Sequence, residues 1–282
     1  MDLVFQAVLV GLLQGLTEFI PISSSAHLEL VPWMVGWEQE GGLIGSLAFD
    51  VFLHLGTLTA LLGYFWRDWL ALAGAFFASV RDRRIGPDPE RRLAWLIALA
   101  TVPAAVIGFV GEDFVDEVLH GGTDPVRLAI AAFLVVGAAA LLAADRWGSR
   151  SRDLDQLSVP TALVVGFSQA LALLPGISRS GATLSAGLAM GLTREAAARF
   201  SFLLATPITL GAGLYGSRDL VAEPHSGAEW LAIGAGFVAA AVAGWLAISF
   251  LLAWLRSRSV TVFSVYRVAF AALVVALVLA GR

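Results

Sequence analysis

Long apolar stretches separated by short charged segments run along most of the chain, and this pattern predicts helices that cross a membrane. A shorter, aromatic-rich segment at 67–80 is typical of an amphipathic helix. The stretches with the length and apolar character of a spanning helix lie at about 47–66, 93–110, 125–144, 200–215, 230–255 and 260–280. The pattern therefore predicts an all-α protein with six transmembrane helices.

The charged segments between these stretches are predicted as loops. Acidic residues collect at 36–47, which is also rich in glycine, and at 112–124. Arginines collect at 81–92, 145–158 and 194–199.

Two further apolar segments, at 2–35 and 159–192, are interrupted near their middle. The first is broken at Pro21 and a run of serines, and the second at Pro175 and Gly176. Each half is too short to cross a bilayer alone, so each segment is predicted to be a re-entrant hairpin that enters and leaves on one side.

The two interrupted segments are copies of each other. A shift of 155 positions, without a gap, superimposes Gly11 on Gly166, Gln14 on Gln169, Ser23 on Ser178 and Ser25 on Ser180. This repeat divides a single membrane domain into a first half at 1–150 and a second half at 151–282. Each half is predicted to begin with one of the two hairpins.

Arginine is distributed unevenly between the two sides that these helices define. Thirteen of the eighteen basic residues share one side when the loops at 67–92, 145–158, 194–199 and 256–258 are placed together, and three lie on the other. The arginine-rich side is predicted to be cytoplasmic. The first hairpin then enters from outside and the second from inside, so the halves form an inverted-topology repeat, as in many transporters. Both termini are predicted to face outside.

Composition agrees with a polytopic membrane protein. The chain is 58% hydrophobic, has a mean hydropathy of +0.81 and is 14% charged, against about 25% charged residues in soluble domains. It has no cysteine and no lysine, which excludes disulfides, thiolate metal sites and lysine-dependent chemistry. A net charge of −4 argues against nucleic acid as a partner. The first apolar segment lacks a basic start and a cleavage site, so it is expected to stay in the protein.

The second break carries groups that suit a phosphate. Arg179 is a permanent cation with a forked donor geometry, and the helix that starts after the break offers its N-terminus to an anion. The predicted phosphate-binding residues here are Gly176, Ser178, Ser180 and Thr183. The alternative is a serine-rich helix break in which Arg179 simply pairs with a carboxylate.

The first break carries acid–base groups instead. Glu18 can act as a base or bind a divalent cation, and His27 can move a proton or attack phosphorus. Ser23, Ser24 and Ser25 lie between them, and Ser23 and Ser25 are predicted to bind the substrate. A purely structural histidine is the alternative for His27.

Two polar pairs at helical spacing are also candidates. Gln14 precedes Glu18 by four residues and shares its helix face, and it is either a metal ligand or a structural amide. Asp50 and His54 form a second such pair, which either supports the site or stabilises its own helix.

These motifs resemble a known family, the bacterial undecaprenyl pyrophosphate phosphatases of the bacitracin-resistance type. The segment from Glu18 to His27, with Gln14, is similar to the family's (Glu/Gln)-x-x-x-Glu motif and the serine–histidine stretch after it. The segment from Pro175 to Thr183 is similar to its Pro-Gly-x-Ser-Arg-Ser-x-x-Thr motif. The resemblance covers nearly the whole chain.

The resemblance implies a function. It implies hydrolysis of the C55 isoprenyl pyrophosphate to the monophosphate carrier of cell-wall synthesis, in the bacterial inner membrane, with the site toward the periplasm and with Mg²⁺ or Ca²⁺ as cofactor. It implies that Glu18, His27, Ser24 and Arg179 are the catalytic residues. The family often has glutamate where this chain has Gln14, which removes one anionic metal ligand.

These residues are consistent with two alternative functions, an enzyme and a transporter. The first is a membrane phosphatase that holds the pyrophosphate between the two hairpin tips. His27 attacks phosphorus in one version, and Glu18 with His27 activates a water or a serine in the other. The second is a polyprenyl-phosphate flippase built on the same inverted repeat. The oligomeric state, including a homodimer, stays open.

Overall fold

The computed structural model describes residues 2–37, 42–119, 122–222 and 225–281, without the side chains at 47, 112–119 and 217–222. This part of the chain folds into eleven α-helices. They are α1 (Leu3–Phe19), α2 (Ser24–Val35), α3 (Leu47–Tyr64), α4 (Trp66–Arg81), α5 (Pro89–Leu119), α6 (Asp124–Trp147), α7 (Val159–Ala170), α8 (Arg179–Ala189), α9 (Arg194–Ala222), α10 (Gly227–Leu255) and α11 (Thr261–Leu279). Two short 3₁₀ turns, Leu154–Gln156 and Leu171–Leu173, precede and follow α7.

Five of the described helices, α5, α6, α9, α10 and α11, are long and apolar enough to cross a membrane. A sixth span results when α3 and α4, which meet at an angle of 79°, are taken together. Large apolar side chains face outward on these helices; Phe109 is 81% exposed. Exposure of such a surface is favourable in the hydrocarbon core of a bilayer, whereas its exposure to water would be unfavourable. The predicted all-α polytopic membrane protein is confirmed.

Two predicted loops are helical instead. The α5 backbone continues to Leu119, through the first part of the acidic segment at 112–124, because no proline interrupts it there. The α9 helix already begins at Arg194, because the Thr193 hydroxyl accepts a hydrogen bond from the Ala196 N–H and caps it. The arginines at 194 and 199 therefore lie on a helix. Within the predicted loop at 36–47, positions 38–41 lie outside the described residues.

Both predicted hairpins are broken where the sequence indicates. The first runs as α1, a break at residues 20–23, and α2; the second runs as α7, a break that includes Gly176, and α8. Ser23 and Ser178 end the two breaks with the same rare geometry, with φ of 78° and 72°. The side chain of each accepts a hydrogen bond from the first turn of the next helix. Two equivalent serines thus start two equivalent half-helices.

The hairpins pack across the two halves of the chain. The first hairpin lays α1 against α10 of the second half, and the second hairpin lays α7 against α5 of the first half. Glycines make both approaches close: a Cβ at Gly11 would clash with the Gly236 backbone, and one at Gly166 would clash with the Ala100 backbone. The division at residue 150 stays a prediction, and this reciprocal packing supports it. The arrangement also brings the two breaks together.

Candidate active site

A carboxylate from the first break meets a guanidinium from the second. Glu18 lies in the last turn of α1, is 7% exposed, and accepts a hydrogen bond through Oε1 from Arg179 Nη2. The two residues are 161 positions apart in the chain. Their positions at the end of α1 and the start of α8 make this contact a direct consequence of the two helix breaks.

The second oxygen of Glu18 has three polar neighbours. Its Oε2 accepts hydrogen bonds from Ser24 Oγ at 2.5 Å and from Gln14 Nε2 at 3.0 Å. The Nε2 atom of His54, on α3, lies 3.5 Å from the same oxygen. A serine hydroxyl in direct contact with a buried carboxylate is the arrangement that activates an oxygen nucleophile.

Arg179 is held from its other side by α9. Its Nη1 donates to Thr209 Oγ1 and, at 3.3 Å, to the carbonyl of Ala205. Thr209 was not among the sequence candidates, because a single hydroxyl within a long apolar span carries no motif. These contacts aim the planar guanidinium at Glu18, and a phosphate takes bonds from the same two-pronged donor geometry.

His27 lies apart from this cluster. It is 1% exposed, its Nδ1 is 2.7 Å from the carbonyl of Ser23, and its Nε2 is 2.8 Å from the hydroxyl of Tyr266. Its ring stacks on Phe270 at a centroid distance of 4.4 Å. Nδ1 is therefore engaged by the first break and Nε2 by α11, and the imidazole that neighbours Glu18 is that of His54.

Asp50 does not hold His54 through its carboxylate. The contact between them runs from His54 Nδ1 to the backbone carbonyl of Asp50, at 2.8 Å. That contact fixes the ring so that Nε2 faces Glu18. Asp50 therefore orients His54 through its backbone carbonyl, and the His54 side chain is the one that lies next to Glu18.

The remaining predicted phosphate ligands form two groups, the serines of the two breaks and the pair Thr183 and Gly176. Ser178 and Ser180 share a contact at 3.2 Å, as do Ser23 and Ser25 in the first break. Ser180 also donates to the carbonyl of Ile20 at 3.4 Å, which links one break to the other. Ser23 is completely buried as the N-cap of α2.

Thr183 and Gly176 are engaged in packing rather than facing Glu18. The Thr183 hydroxyl contacts the Arg179 carbonyl at 2.8 Å and Ser201 Oγ at 2.6 Å, and it is fully buried. Gly176 has a φ of 103°, and a Cβ there would lie 2.6 Å from the Ile130 carbonyl oxygen. Only glycine fits this turn against α6.

The cluster offers few ligands for a metal ion. No group of three or more histidine, aspartate or glutamate side chains suited to a metal occurs among the described residues. Gln14 donates to the Glu18 carboxylate through Nε2 and leaves its buried Oε1 without a partner. Oxygen donors of this kind suit Mg²⁺ or Ca²⁺, and Mg²⁺ usually takes one or two carboxylates from the protein and the rest from phosphates and water. The residues present thus fit a cation that arrives with a phosphate substrate.

A second intramembrane arginine joins the two breaks. Arg267 of α11 is completely buried and donates to the carbonyls of Gly176 at 2.7 Å and Ile177 at 2.9 Å. It also reaches the carbonyl of Pro21 at 3.5 Å. The position of Arg267 within an apolar span indicates a functional residue, because burial of an arginine in a membrane is costly. No motif indicates its partners.

Comparison with known proteins gives a consistent result. Residues 7–273 match the family model described as Bacitracin resistance protein BacA. A protein of Thermomicrobium roseum named undecaprenyl-diphosphatase is 44% identical over 268 residues, which cover 94% of this chain and 95% of the relative. Proteins of the same name from Alcanivorax borkumensis (45% identical, covering 93% and 94%) and Rubrobacter xylanophilus (44%, covering 97% and 98%) are equally similar.

Proposed function

The chain belongs to the bacitracin resistance protein BacA family, and on that premise we propose that it hydrolyses undecaprenyl pyrophosphate to undecaprenyl phosphate and inorganic phosphate. Relatives named for this activity match it over nearly their whole length. The reaction recycles the lipid carrier of peptidoglycan synthesis and confers resistance to bacitracin.

The observation that carries this proposal is the junction of Glu18 and Arg179. A pyrophosphate group bound between the two breaks takes the guanidinium from Glu18, because phosphate and carboxylate oxygens accept from the same donors. Arg179 then stabilises the charge of the transferring phosphoryl group, and the released Glu18 is free to act as a base. Phosphoryl transfer depends mainly on such positioning and charge stabilisation.

Ser24 is the nucleophile that the geometry favours. Its Oγ attacks the terminal phosphorus while Glu18 takes the hydroxyl proton. The anhydride P–O bond breaks, and undecaprenyl phosphate leaves with the bridging oxygen. Water then attacks the phosphoserine, inorganic phosphate departs, and Ser24 recovers its proton. To attack in this way, His27 would have to give up the contact at one ring nitrogen, such as that of Nε2 with the Tyr266 hydroxyl, whereas the Ser24 hydroxyl already contacts its base.

A divalent cation is part of the same proposal. Glu18 and the Gln14 Oε1 would hold Mg²⁺ or Ca²⁺, which neutralises negative charge on the phosphates when bound. Ser178 and Ser180 would donate to the second phosphate. Membership of the family supports an inner-membrane location with the site toward the periplasm, and the uneven arginine distribution supports the placing of the arginine-rich loops in the cytoplasm.

The flippase alternative is less favoured, because the two breaks are chemically unequal. The carboxylate and its serine come from the first break, whereas the guanidinium comes from the second. A carrier can bind its ligand with two similar loops, whereas phosphoryl transfer uses both a base and a cation.

The decisive measurement is release of inorganic phosphate from a short-chain polyprenyl pyrophosphate by the purified protein in detergent, where no sealed compartment exists. The wild-type protein should release phosphate, and EDTA should suppress the reaction until Mg²⁺ or Ca²⁺ is restored. Glu18→Ala and Ser24→Ala should lower kcat by about 10³-fold or more, since each removes one partner of the reacting pair.

Ser168→Ala is the matched serine control, because that hydroxyl bonds only to the Val165 carbonyl within its own helix. It should keep the wild-type rate. A wild-type protein that releases no phosphate under these conditions would contradict the proposed function.

A further inference from the structure

Arg267 has a bonding pattern that the proposed reaction does not use. Its guanidinium is completely buried, and no carboxylate lies within ion-pair distance of it among the side chains that the structure describes. All its hydrogen bonds go to backbone carbonyls. They are those of Pro21, Phe133, Leu134, Gly176 and Ile177. A buried, unpaired cation is costly, so these carbonyls must replace its hydration.

The accepting carbonyls occupy special positions. Those of Pro21, Gly176 and Ile177 belong to the two helix breaks, where the helical hydrogen-bond ladder is interrupted at membrane depth. Backbone groups at such breaks must be satisfied by the protein, because lipid supplies no partners. Arg267, with five N–H donors, is the side chain best able to satisfy several carbonyls at once.

The same bonds attach to the chain segments that carry Glu18 and Arg179. Pro21 follows Glu18 by three residues, and Ile177 precedes Arg179 by two. One rigid, planar group therefore holds both chain segments that carry the Glu18–Arg179 pair. Phe133 and Leu134 anchor that group to α6.

The surrounding backbone leaves space for this guanidinium. A Cβ at Gly137 of α6 would lie 1.9 Å from Arg267 Nη2, and a Cβ at Gly181 of α8 would lie 2.9 Å from Nη1. Two glycines on different helices thus line the position of one arginine. A methyl group at either position would push the guanidinium away from the breaks.

We propose that Arg267 is a positioning residue that ties the two re-entrant breaks together and so sets the geometry of Glu18 and Arg179 for phosphoryl transfer. This rests on the proposed phosphatase function for its kinetic consequence, whereas the tie between the breaks can be measured without any activity.

The test uses three variants and one control. Arg267→Met removes every donor, Arg267→Lys keeps the charge but offers three donors on a flexible stem, and Gly137→Ala keeps all functional groups and displaces the guanidinium. Gly108→Ala is the control, because no atom lies within 4 Å of a Cβ at that helical glycine. Each purified protein is first checked for a single symmetrical peak in size-exclusion chromatography.

The kinetic arm separates kcat from KM for polyprenyl pyrophosphate hydrolysis. A misplacement of about 1 Å can cost about 100-fold in rate, so Arg267→Met and Gly137→Ala should lose about that much in kcat with KM changed less than about 3-fold. Arg267→Lys should recover part of this loss. The Gly108→Ala protein should keep the wild-type kcat.

The second arm measures the tie directly. Because the chain has no cysteine, spin labels on Ile20→Cys and Leu174→Cys report the distance between the two breaks. The distance distribution should be narrow in the wild-type background and broader or shifted with Arg267→Met or Gly137→Ala.

An unchanged distribution in Gly137→Ala, or a wild-type kcat in any well-folded Arg267→Met protein, would overturn the proposal. If Arg267→Met does not fold, Gly137→Ala decides, because it retains the arginine. Absence of phosphatase activity in the wild-type protein would contradict the proposed function and would leave the distance measurement valid.

Discussion

At the scale of single residues, the site depends on which carboxylate Arg179 meets. A structural ion pair was the plain alternative to a phosphate site, and the structure does show Arg179 bonded to a carboxylate. That carboxylate is Glu18, the acid–base candidate of the other break. The contact therefore joins the predicted base of the first break to the predicted phosphate-binding cation of the second. In the absence of substrate, the carboxylate and the guanidinium neutralise each other.

Arg179→Ala should lower kcat/KM by about 10³-fold or more, because no other described side chain in the cluster supplies a permanent cation to the phosphoryl group. Arg179→Lys should restore only part of this loss, since an ammonium lacks the two-pronged geometry. Steady-state phosphate release measures both. Arg146→Ala, which changes an exposed arginine at the end of α6, should leave the rate unchanged; full activity in Arg179→Ala would refute the assignment.

The two histidines show why proximity in sequence is a weak guide to a site. His27 lies nine residues after Glu18, yet the break turns α2 so that its ring packs against Tyr266 and Phe270. His54 lies on a separate helix and reaches within 3.5 Å of Glu18. Its role as a neighbour of the site depends on how α3 packs, which no local pattern indicates.

At the scale of helices, glycines decide how closely the hairpins approach their partners. Gly166 brings α7 against α5, where the carbonyl of Ala100 would lie 2.3 Å from an added Cβ. Gly11 has the corresponding role between α1 and α10. Small residues at such contacts are the usual device by which helices pack within membranes.

Gly166→Ala should therefore destabilise the protein by about 1–3 kcal/mol, because the neighbouring backbone has to move to admit the methyl group. Thermal unfolding of the purified protein in detergent should show a lower Tm. Gly234→Ala is the matched control, since a Cβ at that exposed position of α10 meets no atom within 4 Å. Equal Tm values for the two variants would show that the α5–α7 contact is not as tight as described.

At the scale of the whole molecule, each hairpin is completed by the other half of the chain. The α1 and α7 helices pack on α10 and α5, while α3 packs on α9 and α6 on α11. Exchange of this kind agrees with the predicted inverted repeat, whose halves would be related by a pseudo-twofold axis in the membrane plane. It places the break next to Glu18 opposite the break next to Arg179.

The predicted orientation can be tested with single cysteines, because the chain contains none. Ala228→Cys at the start of α10 should react with a membrane-impermeant maleimide in intact cells, and Ser257→Cys after α10 should not, because the arginine-rich ends are placed in the cytoplasm. Both positions are exposed, so both should react once the cells are permeabilised. Labelling of Ser257→Cys alone in intact cells would show that the orientation is opposite to the predicted one.

Local sequence patterns predict most of the elements and the chemical groups of the site. Apolar stretches indicate where spans lie, although α5 and α9 run beyond their predicted bounds; proline and serine indicate both breaks, and the repeat indicates that Ser23 and Ser178 are equivalent. These features follow from local backbone sterics and from the solvent, which act on neighbouring residues.

Which groups share the site depends on how the helices pack. The packing of α3, α9 and α11 brings His54 beside Glu18, Thr209 beside Arg179 and Arg267 between the breaks, while His27 is packed elsewhere. Such contacts join residues that are far apart in the chain. They are selected by the shape of the whole bundle, which no local stretch of sequence records.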